Sequence, residues 1–226
     1  MTHLYLRRLA RPLRTAVLSA ALMFSLSLLL PGIFTMGAHA ITQAEAAAAV
    51  TEVNAYFNEN PSLQGEFTQI GPTGRVSKGV FFISKPGKMR FEYAAPNPYI
   101  IVSDGTWVTV KNRSKERGDQ YPLSQTPLRL VLSDNVDLLQ ETNVLNVEKA
   151  DELTSITLED RKKAVPGQLV LIYDNSRKTL QQWVVIDGKG RRTTVSLENI
   201  EAGVAADPKL FEIKIDRSKR QKGKNR

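Results

Sequence analysis

The chain has 226 residues, with 31 Lys and Arg against 23 Asp and Glu, and its formal net charge is +8. Ten of the basic residues fall in the first 14 and last ten positions, which leaves 21 basic and 23 acidic residues in 41–216. This part of the chain is close to neutral, so a basic nucleic-acid-binding face is not indicated.

Cysteine is absent and both histidines, His3 and His39, precede residue 41. Histidine- and cysteine-dependent catalysis and ordinary zinc sites are thereby excluded from the rest of the chain. We predict no enzyme, no catalytic or metal-binding residue and no cofactor.

Residues 1–40 have the pattern of a cleaved signal peptide. Four arginines precede an uncharged apolar run at 16–30, and Ala38-His39-Ala40 supplies the small-x-small pattern of a secretory cleavage site. An uncleaved membrane anchor is the alternative, but the apolar run is short for a membrane span. We expect a periplasmic protein with a single domain at 41–216 and a basic disordered tail at 217–226.

A helix should open the predicted domain. Thr42-Gln-Ala-Glu45 matches a capping box, and Asn60-Pro61 would end the helix. The apolar residues that recur at helical spacing are Ala46, Ala49, Val50, Val53, Tyr56 and Phe57. They predict an amphipathic helix packed on a core, and periodicity alone leaves open whether it also covers a cavity.

The next residues carry strand signals. Residues 63–70 and 75–84 form two predicted strands separated by a Gly-Pro-Thr-Gly turn. Residues 80–84 are almost all apolar, which is typical of a strand covered on both faces.

A strictly alternating strand follows, and its apolar face consists of Met89, Phe91 and Tyr93. Residues 99–103 form another predicted strand, and Asp104-Gly105 is a hairpin signal leading into a strand at 106–112. Strands so close in sequence should pair as antiparallel neighbours, so we predict a sheet with an apolar, methionine-containing concave face.

Fewer signals mark the middle of the chain. Residues 113–119 are a charged connection, and 138–150 are ambiguous, with a connection followed by a strand as the interpretation. Thr126 as N-cap and Pro127 in the first helical position predict a short helix. Its apolar face would contain Leu128, Val131 and Leu132.

From residue 154 the pattern is that of an antiparallel meander. The predicted strands are 154–159, 168–174, 179–187 and 192–200, with a last strand at 211–215. The predicted fold class is therefore mostly β with a few helices.

The order of several short motifs resembles the periplasmic outer-membrane lipoprotein carrier (LolA) family. In chain order they are Phe67-Thr68-Gln69, Gly79, Lys85-Pro86, Met89-Arg90-Phe91-Glu92-Tyr93, Pro96, Ile101-Val102-Ser103-Asp104-Gly105 and Thr126-Pro127-Leu128. The resemblance spans most of the chain after residue 40. It implies an incomplete, half-open antiparallel β-barrel whose helices cover an apolar cavity for the acyl chains of lipoproteins.

The resemblance also implies roles for individual residues. The acyl-chain and lipoprotein-binding residues would be Phe67, Met89, Phe91, Tyr93, Tyr99 and Ile101. Lys85 matches the basic residue that holds the helical lid shut in the family, where arginine is common. Lysine lacks the planar fork with which arginine binds two acceptors. The alternatives are that the apolar residues are ordinary core and that Lys85 is a solvated turn residue.

A carrier role agrees with the physical chemistry of the sequence. Burying an acyl chain is worth about 0.8 kcal/mol per methylene, so a lipid-modified protein needs shielding in water. Adaptable apolar side chains such as Met89 suit that task. The implied partners are acylated lipoproteins, an inner-membrane lipoprotein-releasing ABC transporter and an outer-membrane receptor. We also expect transient contact with a membrane surface, no nucleic acid and a monomer.

Two other functional classes stay open at this point. A periplasmic lipoprotein-sensing regulator, or another lipid-binding protein, would use the same fold. An enzyme on a related half-barrel would need carboxylate or lysine chemistry, for which no spacing in the sequence is typical.

Overall fold

The computed structural model describes residues 41–115, 118–163 and 166–213. The predicted signal peptide and basic tail lie outside these residues, as do Lys214 and Ile215 of the predicted last strand. In the described part of the chain, no helix is both long enough and apolar enough to cross a bilayer.

Eleven strands and three α-helices make up the described residues. The strands are β1 (Ser62–Ile70), β2 (Val76–Ser84), β3 (Lys88–Tyr93), β4 (Tyr99–Asp104), β5 (Trp107–Asn112), β6 (Gly118–Pro122), β7 (Thr142–Ala150), β8 (Leu153–Asp160), β9 (Gly167–Asp174), β10 (Thr179–Asp187) and β11 (Arg192–Ala202). The helices are α1 (Gln43–Glu59), α2 (Arg129–Leu132) and α3 (Leu138–Glu141), with 3-10 helices at Leu123–Gln125 and Pro208–Phe211.

All strands belong to one antiparallel sheet in the order β6-β5-β4-β3-β2-β1-β11-β10-β9-β8-β7. Two meanders, β1 to β6 and β7 to β11, are joined edge to edge by the pairing of β1 with β11, in which Phe67 faces Leu197. The edge strands β6 and β7 have no ladder between them, so the sheet is not closed. The predicted fold class, a mostly β protein with an incomplete antiparallel barrel, is confirmed.

Helix α1 forms as predicted and covers the concave face of the sheet. The Thr42 side chain accepts a hydrogen bond from the Glu45 N–H at 3.2 Å, and the Glu45 carboxylate accepts one from the Thr42 N–H at 2.8 Å. Five of the six predicted apolar residues are buried, and Ala46 packs against the core. The Tyr56 ring lies edge-on to Tyr173 of β9 at 5.9 Å.

The prediction that 80–84 are covered on both faces is wrong. Phe81 and Ile83 are buried in the concave core, whereas Val80 is 41% exposed on the opposite face. Helices cover only the concave side of β2, so the outward residues of this apolar run lie at the surface.

The middle of the chain departs from prediction at three places. Thr126 does not cap α2: its hydroxyl donates to Leu123 O at 2.9 Å, and α2 begins only after Leu128. The connection predicted at 113–119 ends in strand β6, which pairs with β5 from Gly118 onward. In the ambiguous segment at 138–150 the strand is confirmed as β7, but the predicted connection is the single helical turn α3.

The predicted strand at 211–215 is wrong over its described part. Phe211 ends the 3-10 helix Pro208–Phe211, for which the Asp207 carboxylate accepts a hydrogen bond from the Lys209 N–H at 2.9 Å. This helix contacts the convex side of β3 and β4, and Phe211 is buried there. Arg90 donates to Leu210 O at 3.0 Å and holds the segment in place.

Candidate functional site

An apolar cavity of about 240 Å³ lies between the concave face of the sheet and the segment that precedes α2. Its lining residues are Gln69, Met89, Phe91, Tyr93, Ile101, Thr126, Pro127, Leu128, Trp183, Val185, Thr193 and Val195. Two larger clefts, of about 550 and 900 Å³, are lined in large part by polar side chains. The smaller cavity is therefore the one suited to a hydrocarbon ligand.

Aromatic rings form one wall of this cavity. Phe91 lies at the centre: its ring centroid is 4.8 Å from that of Phe67, 5.7 Å from Phe81 and 5.8 Å from Trp183. Tyr93 contacts Phe67 edge-on at 5.1 Å. Edge-to-face packing of this kind stabilises a rigid wall beyond the area that it buries.

Gly79 makes room for that wall. It lies opposite Phe67 on β1 and Tyr93 on β3. A Cβ atom at this position would stand 2.7 Å from the Phe67 ring and 2.1 Å from the backbone oxygen of Glu92. The absence of a side chain at Gly79 therefore lets the Phe67 ring and strand β3 approach β2.

The predicted binding residues fall into three groups. Met89, Phe91, Tyr93 and Ile101 line the cavity. Phe67 is buried behind Phe91 and Tyr93 and supports the wall. Tyr99 is 45% exposed at the start of β4 and lies outside the lining. Their role in binding acyl chains stays a prediction.

Eight of the twelve lining residues were not predicted as part of the site. Trp183, Val185, Thr193 and Val195 belong to β10 and β11, more than 80 residues away from Ile101. Only the pairing of β1 with β11 brings them to the same face. Their alternation along β10 and β11 indicates an inward face, but no signal in the sequence shows which meander that face meets.

Lys85 fastens the C-terminal end of α1 to the turn between β2 and β3. Its ammonium group donates to Phe57 O at 2.9 Å and to Asn58 Oδ1 at 3.2 Å. Partial burial lowers the pKa of Lys85 from its usual range, and the Asp134 carboxylate partly opposes that change. A cation beside the last carbonyls of a helix is favourable, since these oxygens lack helical partners.

The same turn also holds α2. The Gly87 N–H donates to Leu132 O at 2.7 Å, and the buried Ser103 hydroxyl donates to Gly87 O at 2.6 Å. Both helices, α1 and α2, are thus attached to one three-residue turn, 85–87. A lid-holding role for Lys85 is compatible with this position and stays a prediction.

Two asparagines attach α1 to the segment that leads into α3. Asn58 accepts from the Val136 N–H at 2.8 Å and donates to Val136 O at 3.0 Å. Asn54 accepts from the Leu138 N–H at 3.1 Å. These bonds couple the helices, so displacement of α1 would disturb the α2–α3 segment as well.

The polar groups at the cavity do not indicate catalysis. The Tyr93 hydroxyl donates to Gln69 Oε1 at 2.8 Å, and burial raises the pKa of Tyr93 to about 12. Tyr93 is therefore neutral at ordinary pH and acts as a hydrogen-bond donor. Across the described ranges, no group of three or more possible metal ligands occurs.

Comparison with known proteins identifies the family of the chain. The family model of the outer membrane lipoprotein carrier protein LolA matches residues 58–214. The chain belongs to the LolA family.

An outer-membrane lipoprotein carrier protein from Alkalilimnicola ehrlichii is 31% identical over 180 residues, which cover 75% of this chain and 81% of the relative. The corresponding protein from Pseudomonas aeruginosa PAO1 is 25% identical over 190 residues, which cover 80% and 89%. A LolA superfamily protein structure from Nitrosomonas europaea is 11% identical, with a TM-score of 0.45 over 74% of this chain and 97% of its own. Membership of the LolA family supports a lipoprotein-binding carrier role.

Proposed function

We propose that this protein is a periplasmic chaperone for acylated lipoproteins. It accepts them at the inner membrane, shields their acyl chains in the apolar cavity and delivers them to the outer membrane. The observation that carries the proposal is an aromatic-walled cavity between the concave face of the sheet and the segment before α2, in a chain of the LolA family. In this proposal residues 1–40 are removed on export, and the binding domain ends near residue 216.

Loading with a lipoprotein would require the cavity to expand. Drug-sized ligands occupy pockets of about 300–1,000 Å³, and the cavity of about 240 Å³ is smaller than that. Several acyl chains therefore require more room than it offers. The space would come from movement of α1 and of the α2 segment, whose buried side chains occupy much of the concave face.

The proposed residue roles follow from position. Met89, Phe91, Tyr93 and Ile101 contact the acyl chain, Phe67 supports the aromatic wall and Lys85 stabilises the closed form. Tyr99, at the surface, contacts the lipoprotein or the part of the chain that leaves the cavity. The proposed partners are the lipoprotein-releasing ABC transporter of the inner membrane and a receptor at the outer membrane.

Displacement of an apolar fluorescent dye tests acyl binding directly. An acylated peptide should displace the dye from the purified protein, and the same peptide without its acyl chain should not. Equal displacement by both peptides would show that the protein binds a peptide surface, which contradicts the carrier proposal.

A matched pair of tryptophan variants locates the binding site. Val185→Trp fills the cavity from β10 and should weaken acyl binding at least tenfold, while the protein stays folded. Val80→Trp makes the same change on the exposed convex face and should leave binding unaltered. Equal binding by the two variants would place the acyl chain elsewhere.

A transfer assay separates a carrier from a sensor on the same fold. A loaded carrier should give up its lipoprotein to outer-membrane vesicles. Tight binding without release would favour the lipoprotein-sensing regulator.

A further inference from the structure

One end of the sheet carries an unusual concentration of positive charge. Antiparallel order places five connections at this end: 71–75, 94–98, 113–117, 161–166 and 188–191. Their described residues contain eight basic side chains and no acidic one. We define this set as the basic rim: Arg75, Arg113, Lys115, Arg161, Lys162, Lys163, Lys189 and Arg191.

The opposite end of the sheet does not share this character. Its β-turns, 85–87, 105–106, 151–152 and 175–178, contain three basic and two acidic residues, namely Lys85, Arg177, Lys178, Asp151 and Glu152. The charge of the basic rim is therefore a property of one end and not of the β-turns in general. It is also hidden in the composition, because residues 41–216 as a whole are slightly acidic.

Part of the basic rim is used within the fold. Arg113 pairs with Glu92 at 2.8 Å, Lys162 with Glu141 at 3.0 Å and Arg191 with Asp187 at 2.7 Å. Arg161 donates to Leu139 O and Thr142 O at the start of β7.

The other four members, Arg75, Lys115, Lys163 and Lys189, are exposed and have no ion-pair partner among the described residues. The two aspartates that end the strands at this rim, Asp160 and Asp187, are paired with Arg129 and Arg191. Among the described residues of these connections, the charge without an ion-pair partner is therefore positive and faces solvent.

The cavity lies toward the basic rim. Gln69, Tyr93 and Thr193 of its lining are within two residues of the strand ends at this side. Met89, in contrast, lies near the turn 85–87 at the other end. A hydrocarbon chain that leaves past Tyr93 would emerge among basic side chains.

Exposed apolar side chains accompany the charge. Ile70 and Val76 face each other across the β1–β2 hairpin and are 44% and 56% exposed. Tyr99, 45% exposed, follows the neighbouring connection. Basic residues beside a few apolar and aromatic side chains are the combination that favours the interface of an anionic bilayer.

We propose that the basic rim docks this protein, cavity mouth first, on an anionic lipid surface. The lysines and arginines contact phosphate groups while Ile70, Val76 and Tyr99 enter the headgroup layer. Large apolar side chains are also exposed at the opposite end, at Trp107, Tyr121 and Leu153, so it is their combination with unpaired positive charge that distinguishes the rim as a surface for anionic lipid. The assignment of this end as the acyl exit rests on the proposed carrier function, whereas lipid docking itself can be measured without cargo.

The test is sedimentation of the exported form, residues 41–226, with vesicles that contain 30% phosphatidylglycerol, or phosphatidylcholine alone. The rim variant carries Arg75→Glu, Lys115→Glu and Lys189→Glu. The control variant makes the same change of charge at exposed lysines outside the basic rim, with Lys88→Glu, Lys149→Glu and Lys209→Glu. Thermal unfolding and dye binding are measured on all three proteins to verify the fold and the cavity.

We expect the unmodified protein to bind the anionic vesicles at low salt and to prefer them to the neutral ones. Each basic residue near an anionic surface contributes about fivefold in affinity, so the rim variant should lose about a hundredfold and the control much less. Binding should weaken as salt rises, because charges are screened over about 10 Å at 0.1 M ionic strength.

Two results would overturn the docking proposal: no preference of the unmodified protein for anionic vesicles, or equal losses in the rim and control variants. Losses that occur only on deletion of 217–226 would assign lipid binding to the basic tail and would likewise overturn it. Vesicle binding without dye displacement by acylated peptide would leave docking intact and contradict the carrier function instead.

Discussion

Replacing Lys85 with methionine tests whether this residue keeps the cavity covered. The change retains an apolar side chain of similar length but removes the two hydrogen bonds to Phe57 O and Asn58 Oδ1. A hydrogen bond from a charged donor is worth about 1.5–3 kcal/mol. Lys85 is half-buried, so water competes for these acceptors, and the lowered pKa of Lys85 shows that burial of the charge is itself costly. We therefore expect a total loss of about 1–2 kcal/mol.

The loss should appear in two measurements. If the bonds exist only when α1 is closed over the sheet, the open population rises by about 5–30-fold. An apolar dye should then enter the cavity faster by a similar factor. Thermal unfolding should shift downward by roughly 2–8 °C, from about 2–4 °C per kcal/mol for a domain of this size.

Two controls complete this experiment. Lys85→Arg keeps a charged donor at the same place and should remain near the unmodified protein in both measurements. Lys88→Met removes an exposed lysine three residues away and should change neither. Unaltered stability and dye entry in Lys85→Met would refute the lid-holding role and make Lys85 a solvated turn residue.

Three further changes follow from the structure. Gly79→Ala should lower the unfolding free energy by about 3 kcal/mol, because the added Cβ would collide with the Glu92 backbone oxygen. Chemical denaturation measures this loss, and a value below about 0.5 kcal/mol would contradict the prediction. Met89→Glu places a carboxylate at a buried position near the turn 85–87 and should lower the unfolding free energy by more than about 3 kcal/mol. The control Lys88→Glu should leave the unfolding free energy unchanged. A stable Met89→Glu protein would mean that water reaches this part of the cavity. Hydrogen bonds from the Ser176 hydroxyl and from the Arg177 and Ser176 N–H groups hold the pKa of Asp174 down to about 2, below its ordinary 3.8. The stabilisation by Asp174 is present above pH 3.8 and is lost as the pH falls toward 2. Asp174→Asn should therefore weaken the pH dependence of the unfolding free energy in this acid range. An unaltered dependence would show that other carboxylates dominate it.

The local parts of the fold could be predicted from the sequence. The capping box of Thr42 and Glu45 determines where α1 begins through hydrogen bonds within four residues. The alternation of Met89, Phe91 and Tyr93 determines which face of β3 is buried, because successive side chains of a strand point to opposite sides. Three of the six predicted acyl-binding residues line the observed cavity for this reason, and Ile101, which was predicted from the family resemblance, lines it as well.

Three features depended on contacts that no local pattern encodes. Thr126 resembles a helix cap, but its hydroxyl bonds to the preceding turn. Phe211 looks like the start of a strand, yet it is buried in a short 3-10 helix against β3 and β4. Arg90 points away from the buried face of β3 and donates a hydrogen bond to the carbonyl oxygen of Leu210, 120 residues away.

The site itself was decided by the tertiary structure. Residues 67 and 197 are 130 positions apart, and their pairing joins two meanders that are each complete in local hydrogen bonds. That junction brings Trp183 and Val195 beside Phe91, and it aligns five connections, four of them basic, at one end of the sheet. The sequence by itself determined the strands and their inward faces, since these depend on neighbours a few residues apart. Which strands meet depends on how the two apolar faces are buried together, and only the folded chain settles that choice.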